Sequence, residues 1–183
     1  MQYEVKQQRG VVAMKMPLDH ICLKSGVLCP RCRKLVESGV VADYEVEIMR
    51  GILELEEKNP EFRALKDGTY IKSYRVDSFV VLMVEVPENV STQTLTKLAR
   101  ALSEKLGMKI RVVKKVNDMK LVIAQIVAPA RVNGVNSLWL PDGTVQHIVR
   151  ISRYDAKLLP ASIEALEKLF KEIFGEDIRI RLT

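Results

Sequence analysis

Aromatic side chains are scarce in this chain. It has one tryptophan, five tyrosines and four phenylalanines among 183 residues, so its cores must be built from aliphatic side chains. Histidine is scarcer still, with only His20 and His147. His147 lies between Gln146 and Ile148 and reads as a sheet-face residue, and no nucleophile has an evident base partner along the chain. The nine glycines form neither a G-x-G-x-x-G turn nor a P-loop, which argues against a nucleotide-dependent enzyme. No apolar run approaches the roughly 20 residues that span a bilayer. The opening Met1-Gln2-Tyr3-Glu4-Val5-Lys6 has no hydrophobic signal core. A cytoplasmic, non-catalytic protein with no membrane partner and no small-molecule substrate is therefore expected.

Charge is plentiful and unevenly spread. The net charge is +6, an excess that suits an anionic partner without specifying one. Residues 1–42 carry seven Lys/Arg against three Asp/Glu. Further along, Lys97, Arg100, Lys105, Lys109, Arg111, Lys114 and Lys115 are interrupted only by Glu104, which is either a solvated face or a basic binding side. Glu45, Glu47, Glu54, Glu56 and Glu57 read as the wet side of one helix.

A repeat sets the architecture. Leu106-Gly107-Met108-Lys109-Ile110-Arg111-Val112 returns as Phe174-Gly175-Glu176-Asp177-Ile178-Arg179-Ile180, 68 positions later. Each copy reads as a helix end, a glycine stop and a short β-branched strand. Working back from these closures, the first unit has a helix from Asp43 to about Asn59, strands Thr69–Val76 and Phe79–Val86, a helix capped by Ser91 or Thr92, and a strand over 109–115. The second has a short helix Met119–Val127, strands Arg131–Leu140 and Thr144–Ser152 across Pro141-Asp142-Gly143, a connecting segment 153–160, a helix from about Ile163, and a strand over 177–183. Trp139 reads as a packing residue of the second hairpin or of the contact between units. The expected class is α+β: two tandem α-β-β-α-β units with three-stranded sheets, at 43–116 and 117–183. A cysteine-bearing segment over 16–42 precedes them, and 1–15 is an arm or an extension before a start at Met14 or Met16.

The three cysteines all fall within residues 22–32, unlike a secreted disulfide framework. Cys29-Pro30-Arg31-Cys32 is a C-x-x-C turn of the kind that aims two thiolates at one tetrahedral zinc, and Cys22 offers a third. His20, two residues before Cys22, shares its face if the segment is extended, which makes it the expected fourth ligand; Asp19 is the alternative. Against one structural Zn2+ stands a plainer reading, three reduced cysteines packing a small turn. A thioredoxin-like redox pair is disfavoured because no strand of a βαβ unit precedes it.

Helix, hairpin, connecting loop, helix and closing strand is the order of a type II KH domain, a module that grips single-stranded RNA at a GXXG loop between two helices. Ala128-Pro129-Ala130-Arg131-Val132, Trp139-Leu140-Pro141-Asp142-Gly143-Thr144 and Ser25–Leu35 together resemble the archaeal NusA-like transcription termination and antitermination factors, over about residues 16–183. That resemblance implies tandem KH domains, RNA binding, and a role in transcription with RNA polymerase as a partner. The chain departs from the pattern in having no G-x-x-G: Glu88–Thr92 and Arg153–Pro160 stand where the loops belong. Side-chain charge would then have to hold phosphates, with Arg150, Arg153 and Lys157 in the second unit and Lys97, Arg100 and Arg111 in the first as candidate contacts, and Tyr154 stacking on a base. The alternative is an adaptor that kept the scaffold, lost the RNA clamp, and docks on RNA polymerase or a ribosomal complex through the cysteine knuckle.

Overall fold

The computed structural model describes residues 13–183. The arm or extension expected over 1–15 lies outside them up to residue 12. The N-terminal segment holds α1 (His20–Ser25) and α2 (Pro30–Glu37). The first unit comprises α3 (Asp43–Lys58), a 3-10 turn at Pro60–Asp67, β1 (Thr69–Val76), β2 (Phe79–Glu85), α4 (Thr92–Leu106) and β3 (Lys109–Lys114). The second comprises α5 (Met119–Val127), β4 (Val132–Trp139), β5 (Val145–Ile151), a 3-10 turn at Arg153–Leu158, α6 (Ile163–Phe174) and β6 (Asp177–Leu182). The protein is thus a mixed α+β molecule with two three-stranded sheets.

The duplication is visible in three dimensions. In each unit the first two strands are antiparallel, and the central strand pairs in parallel with the last. Both hairpins carry a register shift at the same place, Tyr70/Lys72 and Val132/Gly134. Gly107 and Gly175 close α4 and α6 at φ 65° and 71°. Only glycine adopts that left-handed conformation freely, and it turns the chain straight into the closing strand.

The two sheets are treated differently. Val80, Leu82 and Val84 on one face of β2 pack with Ile48 and Ile52 of α3 and Leu98 and Leu102 of α4. Phe79, Val81 and Met83 on the other face are buried too, against Val122 and Ile126 of α5 and Leu166 and Phe170 of α6. The same helices cover Val149, Ile178 and Ile180 of the second sheet. The layers therefore run α3/α4, first sheet, α5/α6, second sheet. This explains why β2 is apolar at consecutive positions, since a strand buried on both faces has no wet side.

Three of the four edge strands, β1, β3 and β6, carry a side-chain plug. Ser73 N on β1 donates to Glu45 Oε1 at 2.7 Å, Lys114 N on β3 to Gln125 Oε1 at 2.9 Å, and Ile180 N on β6 to Glu167 Oε1 at 2.8 Å. Such plugs stop an edge from pairing with another chain.

Two of the five glutamates expected in solvent are buried. Glu45 also accepts from Tyr70 Oη and Ala42 N, each at 2.8 Å, and is 2% exposed. Glu56 is 6% exposed and accepts from Met14 N at 3.3 Å. Helical spacing alone missed this because strand 1 and residues 13–15 lie over what would otherwise be the wet side of α3. Burial raises the Glu56 carboxyl above its ordinary range. A carboxyl raised on folding favours the native state below its unfolded pKa and loses that contribution as pH rises through the folded value. Glu56→Gln is therefore expected to give a higher Tm than the parent at about pH 7.5, and a nearly equal one at about pH 3, well below the ordinary glutamate pKa, where both side chains are neutral. Thermal melts at the two pH values check this.

Trp139 is not a packing residue. It is 75% exposed, at the end of β4.

Candidate functional site

The cysteine segment folds as two short helices that face each other. Gly26, at φ 76°, ends α1 by donating its N–H to Cys22 O. Cys29 then caps α2, its sulfur accepting from Cys32 N at 3.5 Å, with Pro30 as the first helical residue. Asp19 is the residue before α1. Three positions along a helix return to the same side, so Asp19 and Cys22 point together. A two-residue step does not, which is why His20 is turned away and lies with Nε2 2.8 Å from Met14 O. The extended segment expected here is a helix, and the fourth group beside the sulfurs is Asp19 rather than His20.

Asp19 Oδ, Cys22 Sγ, Cys29 Sγ and Cys32 Sγ all lie within 4.8 Å of one another, close enough to hold a metal ion. Tetrahedral zinc with bonds of about 2.3 Å places its sulfurs about 3.8 Å apart. Backbone N–H groups point at the sulfurs, Cys29 N to Cys22 Sγ and Asp19 N to Cys32 Sγ, both at 3.3 Å. They orient the donors and stabilise thiolate charge. Arg31 Nη1 holds Asp19 Oδ1 at 2.8 Å, while Oδ2 lies 3.5 Å from both Cys29 and Cys32 Sγ. The Cys29 thiol is lowered, chiefly by the Cys32 N–H. Burial pushes Cys32 up to about 12, a shift that a cation beside the sulfur would oppose. The donor set and its hydrogen bonds fit a divalent ion of the zinc type.

The knuckle is not a separate body. Cys22, Leu23 and Cys32 belong to the same core as α3, α4 and the first sheet. Arg50 Nε donates to Leu23 O at 2.8 Å, and Lys24 pairs with Glu57.

A second feature is an open cleft of about 1010 Å³ along the outer edge of β3. Leu95, Thr96, Ala99 and Arg100 of α4 form one wall. Ile110, Val112 and Lys114 of β3 form the floor, and Leu121, Ala124 and Gln125 of α5 form the opposite wall. The lining is largely aliphatic. Arg100, Arg111 and Lys114 face it with positive charge and Glu88 with negative. Ser91, which caps α4 by accepting from Thr94 N at 3.2 Å, stands at its end.

The candidate RNA contacts separate into four groups. Arg100 and Arg111 line the cleft. Arg111 also crosses to the second unit, donating to Gln125 O and Ala128 O, and Lys109 Nζ does likewise to Pro160 O at 2.6 Å. Lys97 and Lys105 are held by Glu61 and Glu54, so the run of like charge in sequence is partly neutralised by acids from distant segments. Arg153, Tyr154 and Lys157 sit exposed on the 3-10 turn before α6, Tyr154 at 87%, away from the cleft. Arg150 is on the outer face of the second sheet, its guanidinium beside Gly134. Leu159-Pro160-Ala161-Ser162 joins the 3-10 turn to α6, whereas Glu88–Ser91 leads directly into α4. Sequence reasoning had Lys114 only as one of a run of basic residues and left Gln125 out of the site; their approach depends on β3 having its edge between helices of different units.

No protein-family model matches the chain, and no curated protein matches it. Among solved structures it is similar to one titled "Crystal structure of APE1850", with 17% sequence identity and a TM-score of 0.45 over 74% of this chain and 99% of that one.

Proposed function

We propose that the protein is a non-catalytic RNA-binding module, with its two units acting as type II KH-like domains in a NusA-like transcription factor and a structural zinc held by Asp19, Cys22, Cys29 and Cys32. The β3-edge cleft is the observation that carries the RNA reading. Base faces are apolar and suit its aliphatic walls, while Arg100 and Lys114 stand where a backbone would need cations. The N-terminus of α4 adds partial positive charge at the cleft end. The 3-10 turn ahead of α6 supports a KH-like second unit, because that module has helix on either side of its RNA loop. The zinc would cross-link α1 to α2 and so brace the core beneath α3.

The test is titration of a fluorescent single-stranded oligoribonucleotide. Binding is expected to weaken steeply with salt, since phosphate contacts dominate. Arg100→Gln with Lys114→Gln is expected to reduce affinity by about tenfold or more and the salt slope by about 1.4, which is about 0.7 per lost contact. Affinity that stays constant between about 50 and about 200 mM salt would refute the reading. The missing GXXG favours a second reading, an adaptor whose cleft takes an apolar segment of RNA polymerase or a ribosomal protein. Wild-type protein that binds no RNA at any salt would turn the assignment to it.

A further inference from the structure

The two sheets differ in one pair of positions. On β2 and β3 of the first sheet, Met83 is in register with Val113. Both are buried against the second unit, Met83 at 7% and Val113 at 0% exposure. The repeat places β5 and β6 in the same relation, and there the register pair is Arg150 and Arg181. No layer of the described residues covers this outer face. Val149, Ile151, Ile180 and Leu182 point inward from the same strands, and Arg150 and Arg181 are exposed.

Adjacent strands lie about 4.8 Å apart, so the two guanidinium stems stand side by side. Like charges directly opposite one another destabilise a sheet. Neither arginine forms an ion pair among the described residues, whereas neighbouring Arg179 is neutralised by Glu167 and Asp177 at 3.1 and 3.3 Å. The repulsion between Arg150 and Arg181 is therefore left uncompensated among the described residues. Opposite Arg150, across the hairpin, is Gly134. A Cβ there would sit 3.2 Å from Arg150 Nη2, so the absent side chain lets the guanidinium lie flat over β4. Asn136, exposed on the same face, adds an amide. Shelter for half-buried Ile148 would need only the aliphatic stems, which lysine also supplies. Planar guanidinium forks laid across a flat sheet match phosphate oxygens.

We infer that the outer face of the β4–β5–β6 sheet is a second RNA-backbone surface, in which Arg150 and Arg181 hold phosphates. This rests on the RNA-binding reading but uses none of the cleft residues. The experiment titrates a labelled single-stranded oligoribonucleotide into the full chain, comparing the parent with R150Q/R181Q, R150K/R181K and the cleft variant R100Q/K114Q. R150Q/R181Q is expected to weaken binding by about fivefold or more and lower the salt slope by about 1.4, with Tm unchanged or raised. R150K/R181K is expected to restore the slope but only part of the affinity, because lysine lacks the fork. If R150Q/R181Q binds like the parent while R100Q/K114Q is weakened, the sheet-face inference fails and the cleft reading stands. If the parent binds no RNA, both fail. If the parent instead binds a polyglutamate peptide and R150Q/R181Q does not, the face belongs to an acidic protein surface and the RNA assignment is overturned.

Discussion

Removing the ion proposed for the Asp19–Cys22–Cys29–Cys32 cluster is expected to lower Tm by about 10 °C or more. Zinc contributes about 10–16 kcal/mol to isolated finger peptides. Here Leu18 and Leu23, fully buried in the main core, keep part of the segment in place without metal, so about a third of that figure is a reasonable loss. At about 2–4 °C per kcal/mol for a chain of this size, the shift is large enough to read by calorimetry. The effect should spread beyond the knuckle, because Cys22 and Cys32 share the core of α3 and the first sheet. Cys32→Ser should reproduce it, since Cys32 is 0% exposed and serine puts a hydroxyl in its place. Asp19→Asn should bind metal more weakly while keeping the fold. His20→Ala should leave metal content unchanged, because its ring faces Met14 O. Elemental analysis of purified protein, with melts before and after a strong chelator, checks the set. A chelator-treated sample that melts at the parent temperature and never held stoichiometric metal would rule the ion out.

Val81→Asp and Ile148→Asp are expected to differ sharply, although the repeat makes the two residues equivalent. Val81 is 0% exposed, between the first sheet and helices α5 and α6, and its register neighbour Arg111 is already committed to Gln125 O and Ala128 O. A carboxylate there is desolvated and could pair only by drawing Arg111 from its carbonyl partners, so the change should cost several kcal/mol, enough to unfold the protein or separate its units. Ile148 stands on the uncovered face beside Arg150 and Arg179 in the register of β5 and β6. There the change should cost about 1 kcal/mol, the span of strand propensities. Urea unfolding of both variants decides the matter. Equal destabilisation would mean that the outer face of the second sheet is covered as well.

The equivalence of those two residues marks how far the sequence could be read. Helix ends were legible because their signals are local: Ser91 caps α4, and Gly107 and Gly175 stop α4 and α6. The hairpins were legible for the same reason, as was the pairing of each unit into α-β-β-α-β. The three sulfurs of the knuckle were legible too, because a C-x-x-C turn constrains its own geometry. The fourth group was misassigned because helical and extended segments place different neighbours beside Cys22. The buried pair Glu45 and Glu56 were misplaced because their environments come from elements far away in the chain, and Trp139 because no described element packs over it.

Order, boundaries and duplication of the elements were thus determined by the sequence itself, through spacing, caps and turn residues that act over a few positions. Tertiary structure alone decided which face of each duplicated sheet meets another layer. Alternation along a strand defines two faces but does not say what lies against either. Helices α5 and α6 occupy the space between the sheets. They therefore cover both faces of β2 together with α3 and α4, and only one face of β5. From that single asymmetry come the cleft on the β3 edge, the diversion of Lys109 and Arg111 into the contact between units, and the exposure of Arg150 and Arg181.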